Sequence, residues 1–380
     1  MRVRSSVVVI ALALSFARLT VLAQGDTDCL AKLSHSESEF AAGRFVGIPG
    51  ILKDCLDQNK FSNEEKVRVY MLLTQVYLLT DDPASADDSY LKLLKANPEF
   101  LPSDSDPIEV IYLSKKFTST PIFTPHFKAG INLSSQSVIY AQNTISTPDS
   151  TKVTRRALPG FNVGAGVEWN ITDNLGIGGE VFFSQKRFAT RINNVFRHDD
   201  GVTTESQFWI DVPLYVRYAI NTGNIRPFAY AGGSLNLLLS SRVDQGYNDR
   251  TTGTGQEAEQ VTPISGAARN ISYQRNFLNR SLVFGGGAKF KVGKNFIVAD
   301  LRFMPGLSNV TNMKYVNYAS KDQNAIDPGA WQYASLSDMF RVNNFSLMFG
   351  YVKPLYNPRK ASRVKTKSVS RKLNKAEDEK

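Results

Sequence analysis

The residues PGFNVGAGVEWNITDNLGIGGEVFFS, from Pro159 to Ser184, change character at every step. Phe161, Val163, Ala165, Val167, Trp169 and Ile171 share one face of an extended chain, and Asn162, Gly164, Gly166, Glu168 and Asn170 share the other. Side chains alternating in this way mark a β-strand with one apolar and one polar side. After Thr172-Asp173-Asn174 the alternation resumes, with Leu175, Ile177, Val181 and Phe183 outward and Gly176, Gly178, Glu180 and Ser184 behind them. Two strands joined so tightly predict an antiparallel hairpin. In a soluble sandwich its apolar face would be core; in a transmembrane barrel it would face lipid and the polar face a lumen.

About eight such strands follow from the same pattern, beginning near Thr124, where Phe127, Ala129, Ile131 and Leu133 alternate with Lys128, Gly130, Asn132 and Ser134. The others lie at Phe208–Ile220, Ile225–Arg242, Ser281–Val292, Asn295–Pro305 and Asn343–Val352. Their connections distinguish the two architectures. Residues 172–174, 221–224 and 293–294 are short, whereas 141–158, 192–206, 243–276 and 310–342 are long and polar, and short alternates with long. Greek-key sandwiches have no cause to obey that rule; up-and-down outer membrane barrels do, with short periplasmic turns and long outside loops. The expected fold is therefore α + β, with a small helical domain followed by an antiparallel transmembrane barrel. An even strand number leaves both flanking regions in the periplasm.

No apolar run after the N-terminus is long enough for a membrane-spanning helix. Arg2 and Arg4 precede an apolar segment from Val7 to Phe16, and Val21-Leu22-Ala23 stands before Gln24, which predicts a secretory signal over residues 1–23. Cys29 and Cys55 are the only cysteines. An even count in an exported chain favours a disulfide between them.

Residues 24–117 form the expected periplasmic helical domain. Ser62-Asn63-Glu64-Glu65 is a helix start ahead of Val67, Tyr70, Met71, Leu73 and Val76. A further helix runs from about Pro83 to Ala96 and stops at Asn97-Pro98. The run from Leu72 to Leu78, followed by Ala86, Tyr90 and Leu94, resembles interlocking tetratricopeptide helices. That resemblance implies a helical cap, or a concave face for a peptide or protein partner. Residues 118–123 read as a linker and 124–356 as the barrel.

The basic tail, 357–380, completes the chain. From Arg359 onward it holds nine basic residues against three acidic ones, which accounts for six of the ten formal positive charges at neutral pH. It lacks the aromatics that would stack nucleic-acid bases, so nucleic acid is not an expected partner. A disordered segment near anionic head groups or cell-wall polymer is expected, and one without any partner is the simpler reading.

On the expected lumen face stand the acids Glu168, Glu180, Asp211 and Asp300 and the bases Lys128, Lys186, Arg217, Arg226, Lys289, Lys291 and Arg302. Mixed signs on neighbouring strands suggest ion pairs filling the interior rather than a one-sign ring that selects an ion. The inward glycines Gly164, Gly166, Gly176, Gly178, Gly285 and Gly287 leave open either wet space or tight curvature.

Ile210-Asp211-Val212-Pro213-Leu214-Tyr215-Val216-Arg217-Tyr218, then Ile225-Arg226-Pro227-Phe228-Ala229-Tyr230-Ala231-Gly232-Gly233, resemble the PorT-like outer membrane β-barrel family. The resemblance covers about Phe127 to Tyr356. It implies an outer membrane barrel; some members serve protein secretion.

Catalytic signatures are missing. Gly285-Gly286-Gly287 with Gly293-Lys294 fails as a phosphate loop, and no nucleophile elbow occurs. His198-Asp199-Asp200, in an expected outside loop, is the one place a rim hydrolase could hide. His35 falls in the helical domain and His126 ahead of the first strand. The expectation is a protein without catalytic activity, cofactor or metal, whose barrel contacts membrane lipid and anchors a helical module for a periplasmic partner. The alternative is a narrow channel for ions or small solutes.

Overall fold

The computed structural model describes residues 27–141, 152–193, 200–251, 260–316 and 338–360. The expected signal sequence, His198-Asp199 and the tail from residue 361 lie outside the described residues. The chain divides into two compact units, Pro121–Leu355 and Met1–Thr120 with Tyr356–Lys380.

The first unit is helical. Its helices are α1 (Thr27–Ala41), α2 (Ile48–Asp57), α3 (Asn63–Leu79), α4 (Pro83–Ala96) and α5 (Ile108–Ser114). The Ser62 hydroxyl accepts from the Glu65 amide at 3.3 Å while the Ser62 amide donates to the Glu65 carboxylate at 2.8 Å, closing a capping box on α3. Asp82 caps α4 by accepting from Ser85 N, and Pro83 occupies the first turn, where no amide is needed. Two cores result. Leu33, Ile48, Leu52, Val69 and Val76 join α1, α2 and α3, and Ala86, Tyr90, Leu93, Val110 and Leu113 join α4 and α5. Burial pushes the Tyr90 hydroxyl up to about 12, so it stays a neutral donor at any ordinary pH.

Cys29 and Cys55 are bonded to one another. The bridge closes a loop with a sequence separation of 26, so replacing both cysteines by serine is expected to destabilise this unit by about 3.5 kcal/mol on the chain-entropy account. Thermal melting followed by far-ultraviolet circular dichroism, with and without reductant, measures it. Equal midpoints would mean that packing alone sets the stability.

A small part of this unit comes from the far end of the chain. Arg359–Lys360 pairs antiparallel with Phe117–Thr118, the Tyr356 hydroxyl donates to Glu99 at 2.7 Å, and Lys360 meets Asp87. The tail expected to be disordered from residue 357 is thus tied down at its start. Backbone pairing and two side-chain bonds hold residues that composition alone marks as solvated.

The other unit is an antiparallel barrel of eight strands, numbered here β1 (Phe123–Tyr140), β2 (Lys152–Asn170), β3 (Leu175–Asn193), β4 (Asp200–Ala219), β5 (Ile225–Thr251), β6 (Leu278–Val292), β7 (Asn295–Met304) and β8 (Met339–Val352). Each pairs with its sequence neighbour where the two adjoin, and β8 pairs with β1, so no edge is left within the ring. Gly293 has φ +62°, which suits the first position of the two-residue turn between β6 and β7. Leu355 N donates to Phe123 O and Lys353 N to Pro125 O, so the chain enters and leaves the barrel side by side, at the short-turn end.

Three of the four long connections are shorter than expected. β2 begins at Lys152, β3 runs to Asn193, β4 begins at Asp200 and β5 continues to Thr251, where Gln260–Ser265 pairs with it. A bulge between Phe208 and Trp209 shifts the register of β4 against β5. Beyond this level polar residues occupy both faces, so alternation no longer marks the strands.

Leu175, Ile177 and Val181 on β3, Leu214, Val216 and Tyr218 on β4, and Phe345, Phe349 and Tyr351 on β8 are all exposed. Their inward neighbours Gly176, Gly178, Glu180, Tyr215, Arg217 and Met348 are buried. In water this arrangement, apolar side chains outside and charged ones inside, would be costly. No described helix is long and apolar enough to cross a membrane; here the strands supply the apolar surface.

Candidate functional site

Strand register gathers the charges of the polar face into layers across the barrel. At mid-height Glu180 on β3 is surrounded by donors: Lys128 Nζ at 2.8 Å and His126 Nε2 at 2.7 Å from β1, Tyr215 OH at 2.9 Å from β4, and an Arg302 nitrogen at 2.5 Å from β7. Asp300 on β7 accepts from Lys128 at 2.8 Å and from Tyr230 OH on β5 at 2.8 Å, and Arg302 Nε donates to the same Tyr230 oxygen at 2.8 Å. The side chains of Glu180 and Asp300 are 0% exposed. Desolvating charges this deeply is tolerable only when each is paired and hydrogen-bonded, as these are.

Three of the six inward glycines make room for rings. A β-carbon at Gly178 would run into the Tyr215 ring, one at Gly285 into the Tyr230 ring, and one at Gly164 into Phe182. Tyr215 and Tyr230 meet at 4.6 Å between centroids, and the Arg302 guanidinium lies 4.9 Å from the Phe182 ring centre. Space left by glycine is filled by aromatic side chains reaching across.

Towards the short turns, Glu168 on β2 faces Lys289 at 2.8 Å and Arg217 at 3.4 Å, and Arg217 also donates to Asn170. In the other direction, Lys186 meets Asp211 at 2.8 Å and sits over the Trp209 ring at 4.8 Å. Asn236 donates to Asp211 and accepts from Ser281. Phe188, Trp209, Leu238, Val310, Phe340 and Val342 form an apolar layer above. Glu205 then accepts two bonds of 2.8 Å from Arg275, and further bonds from Ser241 and Gln207. The cavity beside Lys186 and Trp209 measures about 20 Å³, room for a water molecule and little else.

Of the eleven charges expected on the lumen face, nine are buried in these layers: Lys128, Glu168, Glu180, Lys186, Asp211, Arg217, Lys289, Asp300 and Arg302. Arg226 and Lys291 are not. Arg226 is half-buried near a short turn, donating to Gly223 O and lying 4.6 Å from the Phe296 ring centre. Lys291, one residue from the end of β6, is exposed at the barrel mouth. His126 lies within β1 rather than ahead of it. The Glu205–Arg275 pair was hidden from sequence reasoning because both residues fall in stretches expected to be loops. No alternation marks that part of β4, since the outward neighbours Thr204 and Ser206 are as polar as the inward Glu205 and Gln207.

Glu180 takes three donors on Oε1, from His126, Lys128 and Tyr215, and one on Oε2, from Arg302, which holds the carboxylate among cations and hydroxyls away from the surface. Among the described residues no cluster of His, Cys, Asp and Glu suits a metal ion. What the geometry supplies is an interior in which five carboxylates are paired with six cations.

Residues 123–312, half of the chain, match the outer membrane protein beta-barrel domain family. Among solved structures, the chain is similar to the outer membrane protein OprG of Pseudomonas aeruginosa, at 10% identity over 64% of this chain and 99% of that one, with a TM-score of 0.32. It is also similar to the outer membrane protease OmpT of Escherichia coli, at 8% identity over 64% and 98% with a TM-score of 0.32. A third is Ail, the attachment invasion locus protein of Yersinia pestis, at 15% identity over 60% and 98% with a TM-score of 0.25. No curated protein matches the chain.

Proposed function

This chain belongs to the outer membrane protein beta-barrel domain family, and we propose that its barrel is a closed lipid anchor for the helical unit, which binds a partner in the periplasm. The interior carries this reading. Five carboxylates, Glu168, Glu180, Glu205, Asp211 and Asp300, are each paired with one or more of six cations, Lys128, Lys186, Arg217, Arg275, Lys289 and Arg302. A conducting lumen needs sites that an ion can enter and leave, and charges that satisfy one another offer it none.

The orientation follows from loop lengths: short turns inside, long connections outside, and both chain ends periplasmic. In the helical unit, α3 and α4 pack against each other with Ala86 and Tyr90 interlocked, which favours the tetratricopeptide-like assignment. Val46 and Leu101 are 90% and 83% exposed, apolar positions at which a partner would be felt. The PorT-like strand pattern links the chain to family members involved in secretion, and a role in the cell envelope rather than a reaction is the reading adopted. The basic tail would touch anionic polymer or head groups.

Full-length protein carrying a photo-crosslinking residue in place of Val46 or Leu101 tests the proposal. Irradiated envelopes are expected to yield one dominant adduct with a periplasmic protein, and the same protein in planar bilayers is expected to stay silent. Steady single-channel steps, with no adduct at either position, would favour the narrow channel instead.

A further inference from the structure

We propose that the outside of β2, β3, β4 and β5, directly above the apolar band, binds the phosphate-bearing head group of a membrane lipid through Arg156, Arg187 and Arg242. Strand register places them together. Arg187 and Arg242 both pair with Ser206, from its two sides, and Arg156 pairs with Ala189, two residues beyond Arg187. Their inward neighbours Lys186, Phe188, Ser241 and Val243 are buried, so Arg187 and Arg242 point away from the interior. Arg191 continues the same face one step further.

Three observations point to a ligand. First, Arg156, Arg191 and Arg242 are exposed and Arg187 is half-buried, yet among the described residues none of these side chains has an acidic partner. The interior arginines Arg217, Arg275 and Arg302 all have one. Second, the Arg187 Nε is shielded from solvent with no hydrogen-bond acceptor, a state that ordinarily signals a missing partner. Third, the row immediately beneath is aromatic. Phe183 lies 6.1 Å from Phe161 and 5.7 Å from Phe208 between ring centres, and Phe208 pairs with Gln185, two residues below Arg187. Aromatic side chains mark the boundary of the hydrocarbon region, and the next layer out is the head groups.

The spacing suits phosphate. Strands lie about 4.8 Å apart, so Arg187 and Arg242, two strands removed, are about 10 Å apart at Cα. Two guanidinium forks on flexible stems converge on one phosphate from that distance, and Arg156 reaches a second. Asp244, two residues beyond Arg242 on the same face, is the one carboxylate in these rows and leaves the patch basic. A free anion would need no aromatic ledge below it; a lipid whose chains lie on Phe161, Phe183 and Phe208 uses both halves of the surface. Assigning the lipid to the outer leaflet rests on the orientation proposed above, whereas head-group binding does not.

The test is native mass spectrometry of full-length protein reconstituted with zwitterionic lipid alone, with added lipid carrying two phosphates, or with inorganic phosphate alone. The variants are R156Q/R187Q/R242Q, its lysine counterpart, and R341Q, an outward arginine on β8, as control. Wild type and R341Q are expected to retain the phosphorylated lipid through detergent, and the triple glutamine variant to retain it about tenfold less or worse, with the lysine variant between. Heat-modifiable electrophoretic mobility confirms that each barrel has formed; if the triple variant fails there, R187Q alone is compared. Equal retention by wild type and the glutamine variant overturns the proposal, as does displacement of the lipid by equimolar inorganic phosphate. Neither result depends on whether the helical unit has a partner.

Discussion

Glu180→Ala is expected to destabilise the barrel by about 3–5 kcal/mol, the cost of stranding buried charges whose partner has been removed. Four donors converge on that carboxylate, and two of them, Lys128 and Arg302, are buried cations. With Glu180 gone, both compete for Asp300, which Arg302 approaches only at 3.4 Å. One carboxylate would then serve two cations in a space closed to water. Glu180→Gln keeps the shape but loses the charge, and an intermediate loss is expected. Replacing Glu180, Asp300, Lys128 and Arg302 together by apolar residues of similar volume removes two charges of each sign and is expected to recover much of the stability, since the penalty is for unpaired charge rather than for lost pairs. Urea titration of the protein in detergent, followed by tryptophan fluorescence and by the heat-modifiable band, measures all three. An alanine variant within about 1 kcal/mol of wild type would mean that water already reaches these charges, and the closed-anchor reading would fall with it.

What the sequence shows is set by where lipid lies. Between Leu175 and Phe183, or between Phe208 and Tyr218, one face must be apolar and the other polar, and the alternation is plain. Farther along the same strands both faces are wet, and Arg187, Ala189 and Arg191 look no different from a loop although they continue β3. Opposite charges on adjoining strands were legible as an ion-paired filling because register follows once the short turns are known. Arg275 was not, since it follows a single 3-10 turn, Ser272–Gln274, where no periodicity announces a direction. Pairing of Arg359–Lys360 with Phe117–Thr118 is likewise a long-range contact between residues of no distinctive composition.

The second large effect concerns the opposite face. Leu214→Arg is expected to cost about 2–4 kcal/mol in a bilayer, the penalty for an arginine facing the hydrocarbon midplane. Leu214 is 61% exposed and pairs with Gly179 and Gly233, so nothing within the barrel shelters a charge there. It stands near the middle of the outward run from Phe208 to Tyr218 on β4. Ten steps at about 3.4 Å, tilted by about 40°, give a height of about 26 Å, which matches the apolar band of an outer membrane barrel. Ser137→Arg, on the outward face of β1 above Leu133, is expected to cost about 0–1 kcal/mol because it lies near the head groups. Chemical denaturation in lipid vesicles compares the two. If water rather than lipid covers this surface, arginine at Leu214 would be hydrated as readily as at Ser137, and the two variants would unfold alike. A difference confined to Leu214 therefore reports the solvent on that face, independently of anything inside the barrel.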